Sequence, residues 1–141
     1  MKPYRSRSWL AFIRSLPCCV CGIGRGVQAA HTGTRGLSQR ADDRTAIPLC
    51  VAHHDRRKPY SIHSLGPMKF QARYGIDIRA IVGELNDKPL IYPEGNAYLG
   101  RYRGEVYELC PRGAGLGSEI RKMAGIRHEV LRESFSKREV A

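Results

Sequence analysis

Between Cys18 and His63 the chain gathers four of its five cysteines and four of its five histidines, a density that packing alone does not require. The window opens on Cys18-Cys19-Val20-Cys21 and passes through Ala29-Ala30-His31. It closes on Ile47-Pro48-Leu49-Cys50-Val51-Ala52-His53-His54, followed by His63. Thiolate and imidazole are the ligands zinc prefers, and the spacings Cys18-x2-Cys21 and Cys50-x2-His53 describe two tight turns, each aiming two ligands at one point. Two such knuckles facing each other close a tetrahedron, so a structural Zn²⁺ held by Cys18, Cys21, Cys50 and His53 is expected. Cys19 is the alternative first ligand; the two-residue gap to Cys21 favours Cys18.

A chain of 141 residues makes one ordinary domain, or a small one with an extension. It is long enough to bury a core, while its metal-rich half is too loop-heavy to stand without an ion. No apolar run approaches membrane-spanning length, and the N-terminus carries no signal-peptide core. The cysteines are therefore expected in a reducing cytoplasm, where such spacing signals metal rather than disulfides. Cys110, remote from the window, reads as a small buried hydrophobe, and His128 receives no role.

The 24 basic and 13 acidic side chains leave a net charge of +11, unevenly spread. Residues 1–60 hold eleven Lys and Arg against Asp42, Asp43 and Asp55. A basic face beside a metal site points to a polyanionic partner, most often nucleic acid. Arg35, Arg40 and Arg44 before the second knuckle, with Arg56, Arg57 and Lys58 after it, are the candidate phosphate contacts.

Taken in order, Met1–Arg7 reads as a loose basic arm. Ser8–Leu16, with Trp9, Phe12, Ile13 and Leu16 at helical spacing, reads as a short amphipathic helix stopped by Pro17. Val27–Thr32 and Ala46–Leu49 read as short strands, the first ending in His31 and the second delivering Cys50, with a polar loop over Gly33–Arg44 between them. Pro59 interrupts any helix between His54 and His63, so His63 is expected on a new turn after Tyr60–Ser61. Leu65–Tyr74, with Pro67 in its first turn and Gly75 at its end, and a helix capped by Asp77 with Ile78, Ile81, Val82 and Leu85 in a stripe, follow. Residues 90–110 read as a β-hairpin with Arg101 and Arg103 on its polar side, Pro111–Gly117 as a linker, and Ser118–Val140 as a long charged helix. The glycines at 22, 24 and 26 lack the strand-to-helix setting of a phosphate loop.

The order His31, His54, His63, with eight residues between the last two, resembles the HNH (His-Asn-His, ββα-metal) endonuclease motif. Its frame, Cys18-x2-Cys21 … Ala30-His31 … Asp43 … Ile47-Pro48-Leu49-Cys50-x2-His53-His54, is similar to the zinc-bearing, phage-associated branch that includes the Ref-like recombination nucleases. The resemblance covers roughly residues 8–80. It implies that His31 is the general base acting on the attacking water. His54, where the family often has Asn, would orient the site or the base. His63 would bind a catalytic Mg²⁺ or Mn²⁺, and Asp43 would bind that ion or orient a histidine. The position before His31, often acidic in the family, is Ala30. In another register His31 is the metal ligand and Thr32 falls where the base should be.

These readings converge on an α+β protein. A zinc-stapled ββα-metal core with a basic arm occupies 1–88, and a hairpin-plus-helix extension occupies 89–141. The expected activity is metal-dependent hydrolysis of DNA phosphodiesters, and the resemblance implies a phage or recombination protein as a partner. The alternative is a non-catalytic zinc module that binds nucleic acid. An adaptor built on the knuckles leaves His31, Asp43 and His63 without a reason.

Overall fold

A computed structural model describes residues 3–33, 41–95, 97–111 and 116–136. The fold is mixed α+β, with two small antiparallel sheets and six helices among these residues. No helix among them is long and apolar enough to cross a membrane. The chain divides into two compact units. One contains the residues up to Leu85 together with those from Arg132 onward, and the other runs Asn86–Leu131.

In the first unit, helix α1 (Arg7–Arg14) starts where the Ser6 hydroxyl accepts the Trp9 N–H at 3.1 Å, satisfying one of the orphan donors of the first turn. Its Ile13 packs into the core with Leu16 just beyond, both fully buried, and the helix lies on the hairpin of β1 (Val27–His31) and β2 (Ala46–Cys50). From Tyr4 to Ser6 the arm before α1 is tied down rather than loose, Met1 and Lys2 lying outside the described residues. The Tyr4 N–H donates to Asp42 Oδ2 at 2.7 Å, the Asp43 N–H donates to the Tyr4 carbonyl at 2.9 Å, and the Ser6 N–H donates to Asp43 Oδ2 at 2.8 Å. A basic composition alone suggests an arm that waits for a partner; here two carboxylates of the same chain are that partner.

The hairpin's register decides where the chemistry falls. Val27 pairs with Cys50 at one end and His31 with Ala46 at the other, so four residues of ribbon, roughly 13 Å, separate the thiols from His31. A short 3-10 turn, Asp43–Thr45, leads into β2 and is capped by the Asp42 side chain. Pro48 has no N–H to offer a ladder, but its carbonyl accepts the Cys19 N–H at 2.9 Å and so holds the first knuckle against β2.

After β2 the chain turns at once into α2 (Val51–His54), and the loop 55–61 then delivers α3 (Ile62–Leu65), capped by the Ser61 hydroxyl. The break between His54 and His63 is thus where Pro59 requires it. Helix α4 (Pro67–Tyr74) begins on Pro67 and ends on Gly75 in the left-handed region, and α5 (Ile78–Asn86) opens on a hydrogen bond from the Ala80 N–H to Asp77. Phe70, Ile81 and Leu85 complete the buried core with Ile47 and Leu49.

In the second unit, β3 (Leu90–Glu94), β4 (Ala97–Tyr102) and β5 (Glu105–Pro111) form a three-stranded meander, where a single hairpin was expected. Arg103 and Gly104 both have positive φ, a two-residue hairpin turn whose twist matches that of the flanking strands. Arg103 therefore sits in the turn and not on a strand face. Helix α6 (Leu116–Ser136) starts inside the expected linker, and its Met123 buries against Tyr102 and Leu109. The expected helix residues 137–140 and the side chain of Cys110 lie outside the described residues.

Candidate metal centre and histidine cleft

Cys18, Cys21, Cys50 and His53 come together, their ligand atoms all within 4.8 Å of one another. The Cys21 and Cys50 sulfurs are 3.8 Å apart, and His53 Nδ1 is 3.7 Å from Cys18 Sγ and 3.1 Å from Cys50 Sγ. A tetrahedral ion with Zn–S bonds of about 2.3 Å holds its sulfurs about 3.8 Å apart, so the cluster could hold a structural metal such as zinc. Cys19 is buried beside it but is not among the four.

The first knuckle is closed by its own backbone. The Gly22 N–H donates to the Cys18 carbonyl and the Cys18 N–H to the Ile23 carbonyl, both at 2.8 Å, with Gly22 at a φ of 78°. On the second knuckle, the Tyr74 and His53 rings stand T-shaped at 4.9 Å between centroids, and Phe70 stands at 6.4 Å from His53.

Charge in the cluster is unevenly shared. Burial opposes ionisation of Cys18, yet the His53 ring and the backbone N–H groups of Cys21, Cys50 and Val20 outweigh it and bring the thiol down to about 6. Burial, with the Cys18 charge next to it, pushes Cys21 up to about 12 and raises Cys50 as well. Cys18 is thus the thiol that ionises first, and a divalent cation is what would let the other two follow.

Successive residues on a helix point about 100° apart, so His53 and its neighbour His54 serve different places. His54 enters a cleft of about 260 Å³ lined by Ala29, His31, Thr32, Gly33, Ala41, His54, Ile62, His63 and Pro67. All three histidines of the sequence pattern meet there, and none of the four Cys/His cluster residues lines it. The His54 and His63 rings are 4.9 Å apart. His54 Nδ1 lies 2.5 Å from Gln28 Oε1; an amide oxygen only accepts, so Nδ1 carries the hydrogen and Nε2 keeps its lone pair. Burial, with the neighbouring His63 and His31, holds His54 below the ordinary histidine value.

Asp43 stands behind His31 and is not one of the cleft-lining residues. Its Oδ1 is 2.8 Å from His31 Nε2 and 3.2 Å from Arg5 Nη1, while Oδ2 takes the Ser6 N–H. Arg5 also donates to the Ala41 carbonyl. Burial opposes the Asp43 charge, but these donors prevail and hold the carboxyl below its usual range.

The candidate phosphate contacts divide. Arg44 pairs with Asp42 at 2.9 Å and lies over the Tyr4 ring, and Arg57 pairs with Asp55 at 2.7 Å. Arg56 and Lys58 are exposed, whereas Arg35 and Arg40 lie outside the described residues. Two positioning residues escaped the sequence reading. An uncharged amide in the otherwise apolar start of β1 was the only sign of Gln28, and nothing local links Arg5 to a residue 38 positions away.

The family model described as "Protein of unknown function (DUF968)" matches residues 1–90. The chain belongs to the DUF968 family. The matched stretch carries every residue of both the Cys/His cluster and the histidine cleft. No curated protein and no solved structure matches the chain.

Proposed function

We propose that this DUF968 member is a metal-dependent endonuclease of the HNH type that hydrolyses DNA phosphodiester bonds. One observation supports the reading most: His31, His54 and His63 line a single cleft, apart from the Cys18, Cys21, Cys50 and His53 cluster. A purely structural zinc module has no use for a second group of imidazoles.

In this reading Asp43 accepts the Nε2–H of His31 and leaves Nδ1 as the base for an attacking water. Asp43 then acts as the orienting partner of His31. His63 and the Nε2 of His54 hold a divalent cation that stabilises charge on the phosphate. Two imidazoles with no carboxylate among the described residues of the cleft wall suit Mn²⁺ better than Mg²⁺, which favours oxygen ligands. The same lack of a carboxylate favours the second reading, a zinc-stapled module that binds nucleic acid without cutting it.

The test is cleavage of plasmid and single-stranded DNA with added Mn²⁺ or Mg²⁺, comparing wild type with His31→Ala at matched zinc content. Nicking by wild type and not by the variant is the expected result. Binding by both with cutting by neither would leave the module reading in place of the nuclease.

A further inference from the structure

The loop between α2 and α3 is exposed yet held from behind. Its Asp55 carbonyl accepts the Lys58 N–H at 2.9 Å, and the Ser64 hydroxyl contacts the carbonyls of Arg56 and Lys58 at 2.9 and 2.6 Å. The Tyr74 hydroxyl donates to the Tyr60 carbonyl at 2.9 Å. A loop whose carbonyls are taken up by side chains of α3 and α4 presents its own side chains outward in a set arrangement.

Tyr60 is the side chain so presented. It is 51% exposed, and the Arg73 guanidinium covers its ring at 3.8 Å from the centroid. A tyrosine fixed at its backbone and backed by a cation has already lost much of the freedom that binding would otherwise cost. Exposed Arg56 and Lys58 share its loop, and exposed Lys69 stands one helical turn from Arg73 on α4, while the acidic side chain of the loop, Asp55, is engaged by Arg57. An aromatic face amid cations suits a ligand that alternates aromatic units with negative charge. That is the chemistry of a nucleic-acid strand, and a duplex keeps its base faces stacked away from such a ring.

We propose that Tyr60, backed by Arg73, is a stacking platform for an unpaired base of single-stranded DNA, with Arg56 and Lys58 on the flanking phosphates. The proposal rests on the reading of the cleft as a nucleic-acid site and names the substrate form. Tyr60 lies three residues before His63, so the two backbones are at most roughly 11 Å apart, and a strand stacked on Tyr60 runs beside the cleft.

The experiment measures binding of the zinc-loaded full chain, without Mn²⁺ or Mg²⁺, to three fluorescent oligonucleotides of one length: an oligo-thymidine strand, the same backbone without bases, and a duplex. Wild type should prefer the strand with bases about tenfold over the abasic one. Tyr60→Ala should erase that preference, leave duplex binding unchanged and keep its zinc, and Tyr60→Phe should behave as wild type. Photocrosslinking of wild type to a strand carrying a halogenated pyrimidine should label Tyr60, a readout that needs no variant. Equal binding of abasic and thymidine strands, or a crosslink that avoids Tyr60, overturns the platform while leaving the cleft as a phosphate-binding site. Absence of binding to all three overturns both.

Discussion

His31 and Asp43 form a donor–acceptor pair, Nε2 to Oδ1 at 2.8 Å, with Asp43 only 2% exposed. The carboxylate fixes which ring nitrogen bears the hydrogen and leaves Nδ1 with its lone pair. Asp43→Asn keeps the shape but cannot stabilise an imidazolium formed during turnover. DNA cleavage is expected to fall at least about a hundredfold with zinc content unchanged. Equal turnover in the two proteins would remove Asp43 from the working site.

The His31 ring, the Ser6 N–H and Arg5 together keep that carboxylate charged while buried. Removing one partner of a buried carboxylate leaves it undersatisfied, so Arg5→Ala should cost about 1–2 kcal/mol of stability. The midpoint of chemical denaturation of the zinc-loaded protein should drop at an unchanged slope. Cleavage should fall too, since Asp43 is then less firmly placed behind His31. An unchanged midpoint means that the arm, although ordered, contributes nothing to holding Asp43.

What the sequence disclosed follows physical range. The Cys18, Cys21, Cys50 and His53 set was readable because ligand spacing within a knuckle is a local constraint, and the break before His63 was readable because Pro59 acts on its own backbone. The strands around His31 and Cys50 were readable from short apolar runs. The tethering of Tyr4 and Ser6 to Asp42 and Asp43 was not, because it joins segments 37 or 38 residues apart that carry no matching periodicity. The third strand of the meander was hidden by its turn: Arg103 at positive φ is not the residue such turns advertise.

The Cys/His cluster makes zinc affinity dependent on pH in a set direction. Cys18 sits near 6 and is already ionised at pH 7, while Cys21, near 12, and Cys50, also raised, still hold their protons. Zinc binding must then displace two thiol protons, so affinity is expected to rise about a hundredfold per pH unit between pH 7 and 8 and to fall as pH falls. Because that binding energy is also folding energy, thermal stability of the holo form should decline on acidification. Competition with a chromophoric chelator across this range measures the slope; a flat profile would mean that the thiols are not the ligands.

His54, held below the ordinary histidine value by burial and by its histidine neighbours, takes up its proton at lower pH than a free histidine does. A lowered value preserves the lone pair of Nε2 toward acid, so His54 remains a usable ligand at pH 7 and somewhat below. In zinc-loaded protein, His54→Ala should weaken Mn²⁺ binding at least about tenfold, and Gln28→Leu, which removes the acceptor for Nδ1–H, by about the same. Both should retain the Cys/His-bound zinc, because neither residue belongs to that cluster. Electron paramagnetic resonance titration of Mn²⁺ reads the difference. Mn²⁺ affinity unchanged in both variants would mean that the cleft is not a cation site, and the three histidines would then belong to a module that binds DNA without cutting it.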